Sequence, residues 1–403
     1  MVNRQVVGII KQTQLSIGDI NARFFRHFHC WLPVISPRLF REEYECDSRE
    51  PSADFSILLL AMCLLTACPA RTTTLSPPMT LDALYLTTRM LFAQVQALIP
   101  ASTRLVQAGL LIAAYEYACG RPQAAFISMG TCARMAHSMN LDRNTNLDKG
   151  LLLGTASRLK AVEEWNVWWG TVILERVILL ELTHQGRSPM TKHPSLHSYL
   201  PSDLDYDRCL RALPSDVEPF EDPPRLSGVH SKNVTRFGRQ AQATNLLDQV
   251  LSVLRMDMEI DQTISELRRL DAELQAFLAI MTIECGAQLG HYCGAMATAI
   301  RALVLVHQNI LANTETTDTL LHQNSRAALE TATKIMVDVA YHHITHLTPH
   351  NVDALPLCCS YNLRVAMDHI ENQSRHFPGT QASKDLACLM ALDRAFCMRW
   401  RTS

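Results

Sequence analysis

Apolar residues recur at helical spacing along most of this 403-residue chain, and the alternation typical of strands is scarce. The stretch 54–68 is apolar on every side of a helix and therefore predicts a fully buried helix. The other predicted helices cover 80–99, 103–119, 122–140, 157–184, 233–285, 287–312, 323–346, 350–373 and 383–400. The pattern predicts an all-α fold, a multi-helix array of roughly ten helices.

Residues that start or stop helices separate the predicted elements. The proline-rich stretch 69–78 ends the first buried helix, and Pro100 stops the second. Ser102 is expected to cap the third helix and Gly120 to end it, because a serine hydroxyl can accept an orphan N–H and glycine tolerates positive φ. Pro122 then begins the fourth helix.

A proline-rich connection over residues 185–230 interrupts the helical pattern. The domain organisation expected from the sequence is a short N-terminal lead over 1–20, a single domain over 21–375 that contains this connection, and a C-terminal helix over 376–403.

Composition indicates the broad class of protein. A hydrophobic content of 48% is ample for a core and argues against a disordered chain. The net charge of -2 gives no general attraction to phosphate backbones. The 13 cysteines form no C-x2-C pair, which favours a reducing compartment over a disulfide scaffold. The longest uncharged apolar run, 55–68, is too short to span a bilayer, and no membrane partner is expected.

Three segments in this order carry a family pattern. The first is a Leu/Ala-rich helix followed by RPQAAFISMGTCARMAHSMNLDR, with Gly120, Phe126, Gly130, Cys132, Arg134, Ala136 and Leu141 at its motif positions. The second has Glu163, Glu164, Trp168, Trp169, Glu175, Arg176, Gly186, Arg187, Pro189, Leu200 and Pro201. The third lies over 24–65.

Together these segments resemble the fungal-specific transcription factor domain, the middle homology region of the zinc binuclear-cluster regulators, over roughly 20–375. The chain departs from the family pattern in four places. Cys132 replaces the usual small residue, and Trp165 with Asn166 replaces basic residues. Glu175 replaces an aspartate, and Ser188 is inserted before Pro189.

The resemblance implies a nuclear, non-enzymatic transcriptional regulator, and such members are associated with secondary-metabolite gene clusters. Most of the motif residues are interpreted as structural rather than as a ligand or partner site. Trp168 and Trp169 are expected to give one helix a bulky packing face. Glu175 and Arg176 are expected to pair with Arg134 or Glu164 in a partly buried charge network, with Arg134 itself buried and paired.

The family reads DNA through six cysteines that hold two zinc ions, and the sequence contains no such run. No cofactor is therefore expected in this chain. Zinc is expected only if the protein has an N-terminal zinc cluster that this sequence lacks. Two alternatives stay open, a cluster-less member and a truncated gene model of a DNA-binding activator. The expected partner is a DNA-binding regulator or a homologous subunit, so that DNA is reached indirectly, and a small-molecule effector is also considered.

Other constellations in the sequence offer alternatives to the family interpretation. Asp338, His342 and His346 share a helix face near His343 and His350, which could ligate a transition metal or simply cap the helix C-terminus. No P-loop, G-x-G-x-x-G or G-x-S-x-G motif occurs in the sequence.

The sequence also contains one acidic and one basic run of charged residues. The acidic run Glu42, Glu43, Glu45 and Asp47, interpreted as a loop, is the main support for an alternative all-α isoprenoid-type enzyme. The basic residues Arg225, Lys232, Arg236 and Arg239 are interpreted as a solvated loop, with nuclear import or a partner contact as the alternative.

Overall fold

The protein's structure is a computed structural model. It describes residues 2–46, 50–68, 79–143, 155–182, 186–204, 224–231, 234–286, 292–314, 319–346, 352–374 and 380–400. These parts of the chain contain fourteen α-helices, one isolated antiparallel bridge between Tyr199 and Arg225, and no strand. The all-α prediction is therefore confirmed.

The first eight helices precede the proline-rich connection. They are α1 Val2–Gln12, α2 Ile17–Arg26, α3 Pro37–Tyr44, α4 Ala53–Thr66, α5 Leu81–Leu98, α6 Thr103–Ala118, α7 Pro122–Ser138 and α8 Thr155–Leu180. The other six are α9 Arg236–Arg255, α10 Ile260–Cys285, α11 Cys293–Asn313, α12 Thr319–His346, α13 Cys358–Ser374 and α14 Thr380–Trp400. Short 3-10 turns lie at Phe28–Cys30 and Val352–Ala354.

The predicted helix count is too low for two physical reasons. First, the prediction leaves out α1, α2 and α3, which are short, with 11, 10 and 8 residues, although each is amphipathic. Second, the predicted helix over 233–285 is two helices, because the chain turns over 256–259 between α9 and α10. The proline-rich stretch 69–78 lies outside the described part of the chain, and so do residues 205–223 of the proline-rich connection.

The chain separates into two compact units, Met1–Gly238 with Trp400–Thr402 and Arg239–Arg399. The predicted domain boundaries at 20 and 375 stay a prediction. In the first unit α4 and α6 form the centre, since every residue of α6 from Leu105 onwards is buried. α6 packs on α4, α7 and α8, and α4 also contacts α1, α2 and α5.

The predicted caps of the first unit are confirmed. The Ser102 hydroxyl accepts the Leu105 N–H at 3.2 Å, and Pro122 occupies the first turn of α7. Gly120 ends α6 with φ +70°, a left-handed conformation that a side chain would strain.

In the second unit α11 lies at the centre and packs on α10, α12 and α13. α10 is amphipathic. Its buried stripe is Leu267, Leu270, Leu274, Phe277, Met281 and Cys285. Its opposite face carries an exposed ion-pair network in which Arg269 contacts Glu266 and Glu273.

Among the described residues one helix, α11, is long and apolar enough to cross a bilayer by length and composition. However, 67% of its apolar window is buried inside the protein. A central helix of a globular unit has this same character because every side of it faces apolar neighbours.

Candidate functional site

The α6–α7 hairpin contains the first family motif. After Gly120, the N–H of Arg121 donates to the carbonyl of Glu116 at 2.9 Å, which closes the C-terminus of α6. α7 ends in the same manner, since Asn140 has φ +56° and the Leu141 N–H donates to the Ala136 carbonyl at 3.0 Å. These two turns fix the direction of the chain on both sides of α7.

Cys132, which departs from the family pattern, faces Gly109 of α6. A Cβ on Gly109 would lie 2.6 Å from Sγ of Cys132 and 3.2 Å from the ring of Phe92. Gly109 has no side chain, and the space this leaves on α6 accommodates the larger residue at 132. The motif residue Gly130 is also buried, but apart from its chain neighbours and the nearby backbone of its own helix no atom lies within 4 Å of a Cβ added there.

The difference between these two glycines gives a matched pair of substitutions. Gly130→Ala is expected to stabilise the protein by up to about 1 kcal/mol, since alanine favours a helix interior. Gly109→Ala is expected to destabilise it by about 1–2 kcal/mol, because overpacking against Cys132 outweighs that gain. Adding Cys132→Ala should recover most of the loss. Unfolding followed by tryptophan fluorescence measures all three, and equal effects at the two glycines would contradict this packing.

Two of the remaining α7 motif residues have different surroundings. Ala136 is fully buried, whereas Arg134 is exposed. The prediction that Arg134 is a buried, paired charge is therefore wrong. The apolar neighbours of Arg134 in the sequence point to other sides of α7, so the guanidinium reaches solvent.

The tryptophans of the second motif lie inside the first unit. Trp168 and Trp169 are buried, and the Trp168 ring is 5.1 Å from that of His137. The predicted packing face is too narrow, because every residue from 165 to 180 of α8 is buried. α8 is therefore enclosed on all sides along this stretch.

Trp165 and Asn166, which depart from the family pattern, bind irregular backbone. The indole N–H groups of Trp165 and Trp169 both donate to the Tyr199 carbonyl, at 3.1 and 3.2 Å. The Asn166 amide donates to the carbonyls of Pro33 and Ser202, at 2.9 and 2.6 Å. Hydrogen bonds from α8 thus satisfy backbone carbonyls in two irregular segments, at Pro33 and at 199–202.

A buried ion pair binds the chain after the motif glycine. Arg176 donates to Glu175 at 2.7 Å, and it also donates to the hydroxyl and carbonyl of Thr191. Glu175 accepts the N–H groups of Met190 and Thr191 at 2.7 and 3.0 Å. Each charge is nearly inaccessible, with 1% and 0% of the two side chains exposed.

This arrangement corrects the predicted network. Arg134 is exposed on another helix, and Glu164 lies eleven residues before Glu175, about 16 Å along the same helix axis. Neither can therefore serve as the predicted partner. Thr191 is the partner that the sequence analysis missed, because a threonine fifteen residues away carries no recognisable signal.

The last motif residues shape the turn that leads into residues 190–191. Gly186 has φ +61°, and Pro189 is half-buried. The Arg187 guanidinium lies 5.1 Å from the ring centre of Phe126, a cation–π contact with the first motif. The inserted Ser188 is exposed, so the turn accommodates it without changing the core.

A cavity of about 670 Å³ opens beside the start of α8. Glu163 lies on its wall, where it accepts the Ser36 N–H at 2.6 Å and contacts Arg104 at 3.1 Å. Arg104 also contacts Glu43 at 2.9 Å. Burial opposes the charge of Arg104, but Glu163 and Glu43 outweigh it and raise the arginine pKa.

The interpretation of the acidic run as a loop is wrong for its first half. Glu42 and Glu43 belong to α3, where Glu42 pairs with Arg38 and Glu43 with Arg104. Glu45 caps that helix, and Asp47 lies outside the described residues. Carboxylates already engaged in ion pairs do not form the inward, metal-binding face that an isoprenoid cyclase needs.

The basic residues of 225–239 are mostly part of the fold. Arg225 donates to the His197 carbonyl, and Arg236 pairs with Asp203 at 3.1 Å. Arg239 is buried in the second unit and pairs with Glu284. The solvated-loop interpretation is therefore wrong for Arg236 and Arg239, which lie on α9, and Lys232 is outside the described residues.

In the described parts of the chain, no three His, Cys, Asp or Glu side chains are grouped so as to hold a metal ion. Asp338 is exposed, while the rings of His342 and His346 lie 4.3 Å apart. His346 Nδ1 lies 2.8 Å from the His342 carbonyl, a contact typical of a histidine at a helix C-terminus. His350 lies outside the described residues.

Comparison with known proteins gives one similar transcription factor and one matching family domain. Transcription factor BOA15 of Botryotinia fuckeliana (strain B05.10) is 27% identical over 125 residues, which cover 31% of this chain and 67% of that protein. No solved structure matches the chain. The sequence model of the fungal specific transcription factor domain matches residues 22–279, more than half of the chain. The chain therefore belongs to the family defined by the fungal specific transcription factor domain.

Proposed function

We propose that this protein is a nuclear transcriptional regulator or co-regulator of a fungal pathway gene cluster, with secondary metabolism as the first candidate. The observation that carries the proposal is the family domain over residues 22–279, which includes the whole α6–α8 motif region. The similarity to a transcription factor supports the same class of function.

We further propose that the protein reaches DNA through a partner, either a DNA-binding regulator or a homologous subunit. The given sequence contains no C-x2-C pair, so it has no zinc-cluster pattern of the family type. Its net charge of -2 offers no general attraction to the phosphate backbone. A small-molecule effector is part of the proposal, and the cavity beside Glu163 offers room for one.

The proposed role is not enzymatic. The buried charges described above, Glu163, Glu175 and Arg176, are all engaged in holding backbone or one another. Groups engaged in this way are typical of a structural ion-pair network, which supports a scaffold role. No observation favours the isoprenoid-type enzyme.

A tethering assay tests the proposal. The full chain is fused to an unrelated sequence-specific DNA-binding domain, and transcription of a reporter carrying that domain's site is measured in a filamentous fungus. The fusion is expected to change reporter transcription relative to the DNA-binding domain alone. The unfused chain is expected to leave the reporter unchanged and to give no shift of reporter DNA in a gel at physiological salt.

Two variants make the assay specific. Arg134→Ala alters an exposed motif residue and should keep the effect, whereas Glu175→Ala removes a buried charge and should abolish it. An inert fusion that is shown by microscopy to be nuclear and by immunoblotting to be intact would contradict the proposed function.

A further inference from the structure

Helix α5 has an apolar line of side chains on the side that faces solvent, while its other side packs on α4 and α6. On the outer side 59% of Leu86 and 63% of Met90 are exposed, and Ala93 and Ala97 are exposed with them. These four residues are named the α5 seam. The outer side of a surface helix is ordinarily polar, and a contiguous apolar line there is typical of an interaction site.

The α5 seam has the spacing of a coiled-coil interface. Its members follow one another at intervals of four, three and four residues, so they form one line along the helix. These intervals are the same in both directions along the chain. The two large side chains, Leu86 and Met90, occupy the N-terminal half of the seam, and the two alanines occupy the C-terminal half.

An antiparallel second copy of α5 is complementary to this arrangement. A two-fold axis midway between Met90 and Ala93 places Met90 of one copy opposite Ala93 of the other. The same axis places Leu86 of one copy opposite Ala97 of the other. Each contact then joins a large side chain to a small one, so the layers are filled evenly. A parallel copy would place alanine against alanine at one end and leave a gap there.

The charges of α5 also permit contact with an identical surface. The helix has two charged residues, Asp82 and Arg89. A carboxylate oxygen of Asp82 lies 3.4 Å from a guanidinium nitrogen of Arg121. Arg89 lies 3.5 Å from Glu116 in the same manner, and the antiparallel register places it opposite Gln94 of the other copy. Both charges are thus paired within one chain, and no like charges meet when two copies associate.

We propose that the α5 seam is the docking surface for a second copy of this chain, which binds through an antiparallel, isologous α5 pair. This copy is the homologous subunit of the proposed function, and its regulatory role rests on that proposal. The seam covers residues 86–97, about 18 Å of helix. One helix pair of this length buries less than the roughly 1,200 Å² at which specific, stable interfaces begin. The dimer is therefore expected to be weak and concentration-dependent.

Sedimentation velocity of the purified full chain over a range of concentrations tests the proposal. The wild-type chain is expected to shift from monomer towards dimer as its concentration rises. Met90→Glu should weaken dimerisation by at least about 10-fold, because association then buries an unpaired carboxylate in each copy. Leu98→Glu is the matched control, since Leu98 is an exposed leucine of the same helix outside the seam. It should dimerise like the wild type, and circular dichroism should show equal helicity in both variants.

Cysteine cross-linking tests the orientation of the two helices. Chains with Leu86→Cys are mixed with chains with Ala97→Cys and oxidised, and mass spectrometry identifies the linked peptides against a wild-type background. The mixture is expected to form the disulfide between positions 86 and 97. Neither variant alone should link at its new cysteine, because identical positions lie about 16 Å apart in the antiparallel pair and a disulfide needs Cα atoms within about 7 Å.

A chain that stays monomeric up to its solubility limit would overturn the proposal. Dimerisation of Met90→Glu equal to that of Leu98→Glu would do so too, and so would self-linking of either cysteine variant. Sedimentation uses neither DNA nor a reporter, so its outcome is separate from that of the tethering assay. A monomeric chain that still changes reporter transcription would remove the α5 dimer and leave the proposed function intact.

Discussion

Glu175→Ala is expected to destabilise the protein by about 3–5 kcal/mol, the range for removing one partner of a buried ion pair. The substitution leaves Arg176 charged while only 1% of its side chain is exposed. It also leaves the N–H groups of Met190 and Thr191 without their carboxylate acceptor. The loss therefore combines removal of the carboxylate beside a buried guanidinium with two backbone donors that lose their acceptor.

Tryptophan fluorescence during urea unfolding measures this loss, because all five tryptophans belong to the first unit. The double variant Glu175→Ala, Arg176→Ala should lose less than the sum of its single variants, since no unpaired charge remains buried. Arg134→Ala, an exposed motif residue, should change stability by less than about 0.5 kcal/mol. A loss below about 1 kcal/mol for Glu175→Ala would show that water already solvates Arg176.

The prediction also explains what the charged pair of the family motif does in this chain. Charged side chains are rarely fully buried unless they are paired, and residues 165–180 of α8 are all buried. Glu175 and Arg176 nevertheless lie in this stretch, because together they satisfy the polar backbone of residues 190–191. Glutamate in place of the family's aspartate has one more methylene with which to reach that backbone.

Helical class and helix ends could be predicted because they depend on local chemistry. The all-round apolar character of α4, the Ser102 cap and the positive φ of Gly120 each follow from a few neighbouring residues. The short helices α1 to α3 are absent from the predicted elements, although Ser16 and Ser36 cap α2 and α3 by the same local chemistry. Their stability comes from packing against residues distant in the chain, as in the contact of α1 with α4.

The polar partners of the motif residues depend on contacts that sequence spacing does not encode. Arg134 was expected to be buried because its neighbours are apolar, yet its own side of α7 faces solvent. Asn166 looked like a departure from a basic motif, but it holds the carbonyls of Pro33 and Ser202. The sequence alone shows neither the exposure of Arg134 nor the contacts of Asn166. Asn166, Pro33 and Ser202 are distant in the chain and meet only when it folds.

Trp169→Ala is expected to cost about 3–5 kcal/mol, since it removes a fully buried indole from α8. Trp169→Phe should cost much less, because the ring volume is largely kept and the Tyr199 carbonyl still accepts the N–H of Trp165 at 3.1 Å. Trp165→Phe should also cause only a small loss of stability, because the Trp169 N–H still donates to the same oxygen at 3.2 Å. The two indoles are thus redundant donors to a single buried carbonyl.

The double variant Trp165→Phe, Trp169→Phe tests that redundancy, because it leaves the Tyr199 carbonyl with neither indole donor. Its loss should exceed the sum of the single losses by about 1–3 kcal/mol, the cost of an unsatisfied buried acceptor. Urea unfolding followed by circular dichroism measures this without relying on the deleted fluorophores. Leu98→Ala at an exposed site should have little effect. Strict additivity of the two phenylalanine variants would mean that the 199–204 segment is held to α8 by packing rather than by its hydrogen bonds.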